Sequence, residues 1–134
     1  MASTQLIKIL CAEDEEDIRA IAQIALEDIG GFKVRFCKNG KEVLSEIEKF
    51  KPDLLLLDVM MPEMDGPSTL KALRKKVDFE KIPAIFMTAK IQPSEIAEYR
   101  AMGVLDVITK PFDPMKLSES IAFVWDRYQK GKKE

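Results

Sequence analysis

Pro52-Asp53-Leu54-Leu55-Leu56-Leu57-Asp58-Val59-Met60-Met61-Pro62-Glu63-Met64-Asp65-Gly66 is a short apolar run that stops at an acid and breaks into a loop. Such a run, with proline on both sides, reads as a strand buried on both faces, the pattern of a central strand in a parallel sheet. Asp58 then stands at the carboxyl end of that strand. In open α/β sheets this edge lines the crevice where ligands bind. A lone aspartate there could equally cap a turn, so the ends of the other strands must decide.

Outward from this stretch, strands and helices alternate without a linker or repeat. Residues 6–12 read as a first strand, followed by the acids of 13–17 and a helix with Ile18, Ile21, Ala22, Ala25 and Ile29 on one face. Gly30-Gly31 ends that helix, as glycine past a C-cap does. Residues 32–37 form the second strand, Asn39-Gly40 a turn or cap, and 41–50 a helix with Val43, Leu44 and Ile47 inward. Gly66-Pro67 opens a third helix whose core contacts are Leu70 and Leu73. Residues 83–87 make the fourth strand, ending at Thr88-Ala89, and 93–102 a fourth helix closed by Gly103. Residues 104–109 make the fifth strand, ended by Lys110-Pro111-Phe112, and 114–129 the last helix. Regular alternation of this kind implies parallel βαβ units with right-handed crossovers, hence a (βα)5 doubly wound α/β sheet.

Length and charge narrow the function classes. At 134 residues one domain is expected, spanning 1–134 with a core at 5–129 and a short basic tail at 130–134. Lys and Arg total 21 against 23 Asp and Glu, so no net field favours nucleic acid or an anionic membrane. Without a signal-peptide pattern or an apolar run near the roughly 20 residues needed to span a bilayer, a cytoplasmic location is expected. Cys11 and Cys37 lie in apolar segments, where buried thiols are expected. The chain contains no histidine, which leaves carboxylates, hydroxyls and lysine to carry any chemistry.

Parallel strands place all their carboxyl ends on one edge, which gathers Glu13 and Asp14 after strand one, Asp58 at the end of strand three, Thr88 after strand four and Lys110 after strand five. Singly, each has an ordinary explanation. The acids could serve a helix N-terminus, Thr88 could be a strand-end hydroxyl, and Lys110 a solvated charge. Together they form a set. Three carboxylates at one place repel one another unless a cation joins them, and hard oxygen ligands suit Mg²⁺. Without the cation, at least one of them should have a raised pKa. The set reads as phosphoryl chemistry on a carboxylate, with Asp58 as nucleophile, Lys110 neutralising charge and Thr88 orienting an oxygen.

With these residues in view, the chain resembles the receiver (response-regulator) domains of bacterial two-component signalling over residues 5–129. The resemblance rests on Ile9-Leu10-Cys11-Ala12-Glu13-Asp14-Glu15, on Leu55 through Gly66, on Met87-Thr88-Ala89 and on Lys110-Pro111-Phe112. It implies a chemotaxis-receiver-like, flavodoxin-like strand order 2-1-3-4-5. It implies Asp58 as phosphoacceptor and Glu13, Asp14 and Asp58 as Mg²⁺ ligands, Glu13 acting largely through water, with the backbone carbonyl of Met60 completing the site. Thr88 and Lys110 match the phosphate-contacting pair, and Lys110-Pro111 the family's cis peptide.

The resemblance also implies a phosphorylation-dependent switch rather than an enzyme with a separate substrate. The phosphodonor would be a histidine kinase or phosphotransfer protein, since this chain has no histidine. The expected outputs are a protein partner or self-association through helix four, strand five and helix five, with no nucleic acid and no membrane insertion. Phe123, off the inward stripe of Leu117, Ile121, Val124 and Tyr128, is a candidate anchor on that face, and Tyr99 a second candidate for it. With no output domain after the last helix, a single-domain regulator is expected. Met60 and Lys90 match the family's variable positions that tune dephosphorylation. One departure is Val107, where many receivers carry an aromatic ring that swings inward; a β-branched valine has little rotamer range.

Two other classes share features. An aspartyl phosphatase of the haloacid dehalogenase type also uses an Asp after a strand, but seeks a second acid where this chain has Met60. A flavodoxin-like cofactor binder needs a phosphate-cradling loop after strand one, and here that loop is acidic.

Overall fold

The computed structural model describes residues 5–89 and 92–132; Lys90, the expected tuning position after Thr88, and the end of the basic tail lie outside them. Five strands, β1 (Lys8–Ala12), β2 (Lys33–Cys37), β3 (Leu54–Asp58), β4 (Ala84–Thr88) and β5 (Asp106–Thr109), form one parallel sheet in the order β2-β1-β3-β4-β5. The helices are α1 (Glu16–Gln23), α2 (Gly40–Phe50), α3 (Gly66–Arg74), α4 (Pro93–Ala101) and α5 (Leu117–Lys132). Both the doubly wound architecture and the 2-1-3-4-5 order are as expected.

β3 is buried along its whole length because it feeds two cores. Leu55 and Leu57 join Leu10, Phe86, Val43, Ile47, Leu70 and Leu73 under α2 and α3. Leu54 and Leu56 face the other way, with Ile9, Cys11, Ile85, Met87, Leu26 and Ile121 under α1 and α5. At about 2–3 kcal/mol per fully buried large apolar side chain, the four leucines contribute strongly to both layers. The same alternation fixes register, since a slip of one residue would send every side chain to the wrong layer.

Helix starts follow local chemistry. Asn39 accepts from the Glu42 N–H at 3.0 Å and Asp65 from the Ser68 N–H at 2.8 Å, each serving as an N-cap oxygen. Pro67 follows in the first turn of α3, where its missing N–H costs nothing.

The first helix departs from expectation. Ile21 and Ile29, expected inward, are exposed at 42% and 44%, while Ala22, Ala25 and Leu26 are buried. Ile21 sits at the margin of that small-residue stripe. Beyond Gln23 the chain widens into a π-helical turn, Ile24–Ile29, which rotates later residues off the α-helical face. The turn is held by α5, where the Ser118 hydroxyl donates to the Ala25 carbonyl. The left-handed residue that ends it is Gly31, with φ of 75°.

α5 presents Leu117, Ile121 and Val124 to the sheet as expected, and buries Trp125 beside them. Phe123 is 62% exposed under the Arg127 guanidinium, whereas Tyr99 is buried, so it is no part of an exposed partner face. Cys11 and Cys37 are buried free thiols.

Candidate functional site

The sheet register brings the carboxyl ends together. Ala12 lies beside Leu57, Asp58 beside Met87, and Thr88 beside Thr109, one residue before Lys110. Glu13 continues the line of β1, its N–H donating to the Cys37 carbonyl at 2.9 Å, so its side chain turns inward and is wholly buried.

The loop after Asp58 folds back on the strand it leaves. The Gly66 N–H donates to the Val59 carbonyl at 3.1 Å, and a methyl group at Gly66 would run into the Asp58 carbonyl oxygen. Only glycine permits that approach. Glu63, with φ of 65°, turns the loop, and its carboxylate accepts from the Asn39 amide at 2.9 Å.

Lys110 ties three strand ends together. Its ammonium, with only 9% of the side chain exposed, donates to Glu13 Oε1 and Asp58 Oδ2, both at 2.9 Å. The other Asp58 oxygen faces the Met60 N–H at 3.4 Å, and Glu13 Oε2 accepts from the Glu15 N–H at 3.1 Å. Carboxylate oxygens of Glu13, Asp14 and Asp58 lie within 4.8 Å of one another, Asp14 being the most solvent-exposed. Such a donor set, three hard oxygens against one ammonium, fits a divalent cation. Lys110 precedes a cis bond to Pro111, as expected.

Charge at the site is unevenly held. Burial raises the Glu13 carboxyl from an ordinary value of 4.5 to about 7; hydrogen bonds from Lys110 and the Glu15 amide oppose this, and the Asp58 charge adds to it. Burial rather than mutual repulsion is therefore the first cause of the raised carboxylate. For Lys110 burial acts to lower the pKa, but the bonds to Glu13 and Asp58 outweigh it and hold the ammonium above its usual value. Burial likewise pushes the Cys37 thiol up to about 12 and the Cys11 thiol higher still, so neither supplies a thiolate near neutral pH.

An open groove of about 780 Å³ runs from this cluster along the sheet edge, lined by Asp14, Asp58, Met60, Thr88 and Lys110 and continuing to Glu95 and Tyr99 of α4. All the residues gathered from the sequence thus lie in or against one groove, Glu13 sealed beneath it. Arg19 was not anticipated. Its guanidinium donates to the Glu13 and Asp14 carbonyls at 2.8 and 2.9 Å and fixes the acidic loop; the only signal was a lone arginine one turn into an acidic helix.

Comparison with known proteins identifies the family and agrees with the fold. Residues 9–122 match the model of the response regulator receiver domain. The chain is 32% identical to the response regulator Rre1 of Synechocystis sp. over 123 residues, 92% of this chain and 53% of that protein. It is 36% identical to the alkaline phosphatase synthesis transcriptional regulatory protein PhoP of Bacillus subtilis, over 90% of this chain and 49% of that protein. The crystallised chemotaxis response regulator CheY4 of Vibrio cholerae superposes with a TM-score of 0.81 at 29% identity, covering 90% of this chain and 99% of that one. The chain belongs to the response regulator receiver domain family. It spans about half the length of Rre1 and PhoP. Among the described residues no helix is long and apolar enough to cross a membrane.

Proposed function

We propose that residues 5–129 act as one receiver domain in which Asp58 accepts a phosphoryl group from the phosphohistidine of a kinase or phosphotransfer protein. The observation that carries this is the Lys110 ammonium, 2.9 Å from both Asp58 and Glu13, at the head of a groove that also holds Thr88. An Asp58 oxygen attacks phosphorus, the P–N bond of the donor breaks, and the imidazole leaves with the bonding pair. Asp58 enters the reaction held at the strand end by β3. Lys110 stays beside it to offset charge gathering on the phosphoryl oxygens, and the Thr88 hydroxyl orients one of them. Glu13, Asp14, Asp58 and the Met60 carbonyl would hold Mg²⁺, which supplies further positive charge to those oxygens.

Intact mass after incubation with acetyl phosphate and Mg²⁺ tests this. One labile phosphoryl group per chain is expected, and Asp14→Ala should lower its formation at least about tenfold in millimolar Mg²⁺. Unmodified native chain under these conditions would reject the acceptor reading; undiminished modification of Asp14→Ala would reject Asp14 as ligand. Sustained hydrolysis of a phosphate ester would instead favour a phosphatase.

Phosphorylation then acts through a protein partner or a second copy at the face carrying Phe123, whose ring is exposed and backed by Arg127. Large rigid side chains of this kind suit binding hot spots. With beryllofluoride as phosphoryl mimic, association should rise for the native chain. In Phe123→Ala the increase should weaken by about tenfold or more, with fold and phosphorylation intact. Equal association of both chains would place the output face elsewhere.

A further inference from the structure

α4 is seated on the sheet differently from its neighbours. α2 buries Val43 and Ile47, and α3 buries Thr69, Leu70 and Leu73, but from Pro93 to Ala101 the only buried side chain is Tyr99. The helix has no apolar stripe: Ala97 and Ala101 are exposed, and among the described residues half-buried Ile96 joins neither core. The Tyr99 ring meets Phe86 of β4 edge to face, with centroids 5.2 Å apart and planes at 82°. Phe86 lies in register with Val107 of β5, a smaller side chain packed against the same cluster. The Tyr99 hydroxyl donates to Glu95 Oε2 at 3.2 Å, one turn earlier in the same helix. An exposed Arg100–Asp106 ion pair at 3.5 Å adds little. Tyr99 and Glu95 line the same groove as Asp58, Thr88 and Lys110.

A helix with a single buried side chain belongs to the low-stability end of a fold, and a change at that side chain acts on the seating of the whole helix. We propose that Tyr99 is the latch of α4: its ring seats the helix on Phe86, and its position in the groove makes that seat sensitive to the occupancy of Asp58. This rests on Asp58 being the phosphoacceptor. The latch holds in the unmodified chain and loosens or shifts when a phosphoryl group enters the groove, so the exposed face of α4 reports the state of Asp58.

Hydrogen exchange by mass spectrometry on the full chain tests both halves. Without any mimic, Tyr99→Ala should speed exchange of amides in residues 96–103 at least tenfold, leaving β1, β3 and α2 within twofold of native. Tyr99→Phe, which keeps the ring, should stay within about threefold, and Tyr99→Leu should be intermediate, serving as the folded control should the alanine variant unfold. With beryllofluoride and Mg²⁺, native exchange in 96–103 should change, and the change should vanish in the alanine or leucine variant although acetyl phosphate still modifies Asp58. Native protection of α4 in Tyr99→Leu and Tyr99→Ala overturns the seat. A mimic response as large as native in those variants overturns the coupling, as does a native chain that is phosphorylated without any change in α4. Failure of the native chain to take up a phosphoryl group at all would be failure of the acceptor reading, and the comparison without mimic would still decide the seat.

Discussion

An Asp58→Asn chain is expected to take up no phosphoryl group, a loss of at least about a hundredfold in rate relative to native. The amide retains the shape of the carboxylate but lacks its anionic nucleophile. Neither acidic neighbour can substitute. Glu13 is fully buried, with one oxygen held by Lys110 and the other by the Glu15 amide. Asp14 is open to solvent, whereas the Lys110 ammonium is committed to Glu13 and Asp58. The variant should remain folded, because the four leucines before position 58 still fill both cores. Intact mass with acetyl phosphate, beside a circular dichroism spectrum, makes the measurement. Full modification of a folded Asp58→Asn chain would mean that another side chain is the acceptor.

How much of this could be read from the residues differs with the kind of interaction. The strand at Leu54–Asp58 was legible because four consecutive leucines fit one environment, a layer between two cores. The helices at Gly40–Phe50 and Gly66–Arg74 were legible because Asn39-Gly40 and Gly66-Pro67 mark their starts and their apolar residues recur at helical spacing. The face of the first helix was not. A π-helical turn is decided by what packs on it, here Ser118 reaching the Ala25 carbonyl from ninety-three residues away. The fifth strand was legible but read two residues too long, since residues 104–105 run on from a loop and the register with β4 covers only Asp106–Thr109.

At the site, the convergence of Glu13, Asp14, Asp58, Thr88 and Lys110 followed from parallel strands alone. Their division of labour did not. That Glu13 is sealed in and Asp14 faces solvent depends on Glu13 prolonging β1 by one residue, and that Lys110 bridges two carboxylates depends on the register of β4 with β5. The burial of Tyr99 was invisible for a similar reason: its helix has no stripe to announce a core face, and its partner Phe86 lies on a strand thirteen residues earlier.

The other large effect is on stability against pH. Glu13 has an ordinary carboxyl pKa near 4.5 when unfolded and about 7 when folded, chiefly because burial disfavours its charge. Between these values the folded chain binds more protons than the unfolded one, so stability falls as pH rises. The contribution of the protonated Glu13 is fully present below pH 4.5 and lost as pH passes about 7. A shift of this size corresponds to a few kcal/mol, on the order of 2–4. Lys110, whose pKa is raised from 10.5, does not titrate in this window. Urea unfolding in the absence of divalent cation should therefore show the native chain less stable at pH 8 than Glu13→Gln, relative to the same pair at pH 5, where the two should nearly coincide. Adding Mg²⁺ at pH 8 should restore the native chain and act less on the glutamine variant, because a cation among the three carboxylates favours the ionised Glu13. If native and Glu13→Gln lost stability in parallel from pH 5 to pH 8, the proton taken up on folding would reside on another group and the buried Glu13 would be charged throughout.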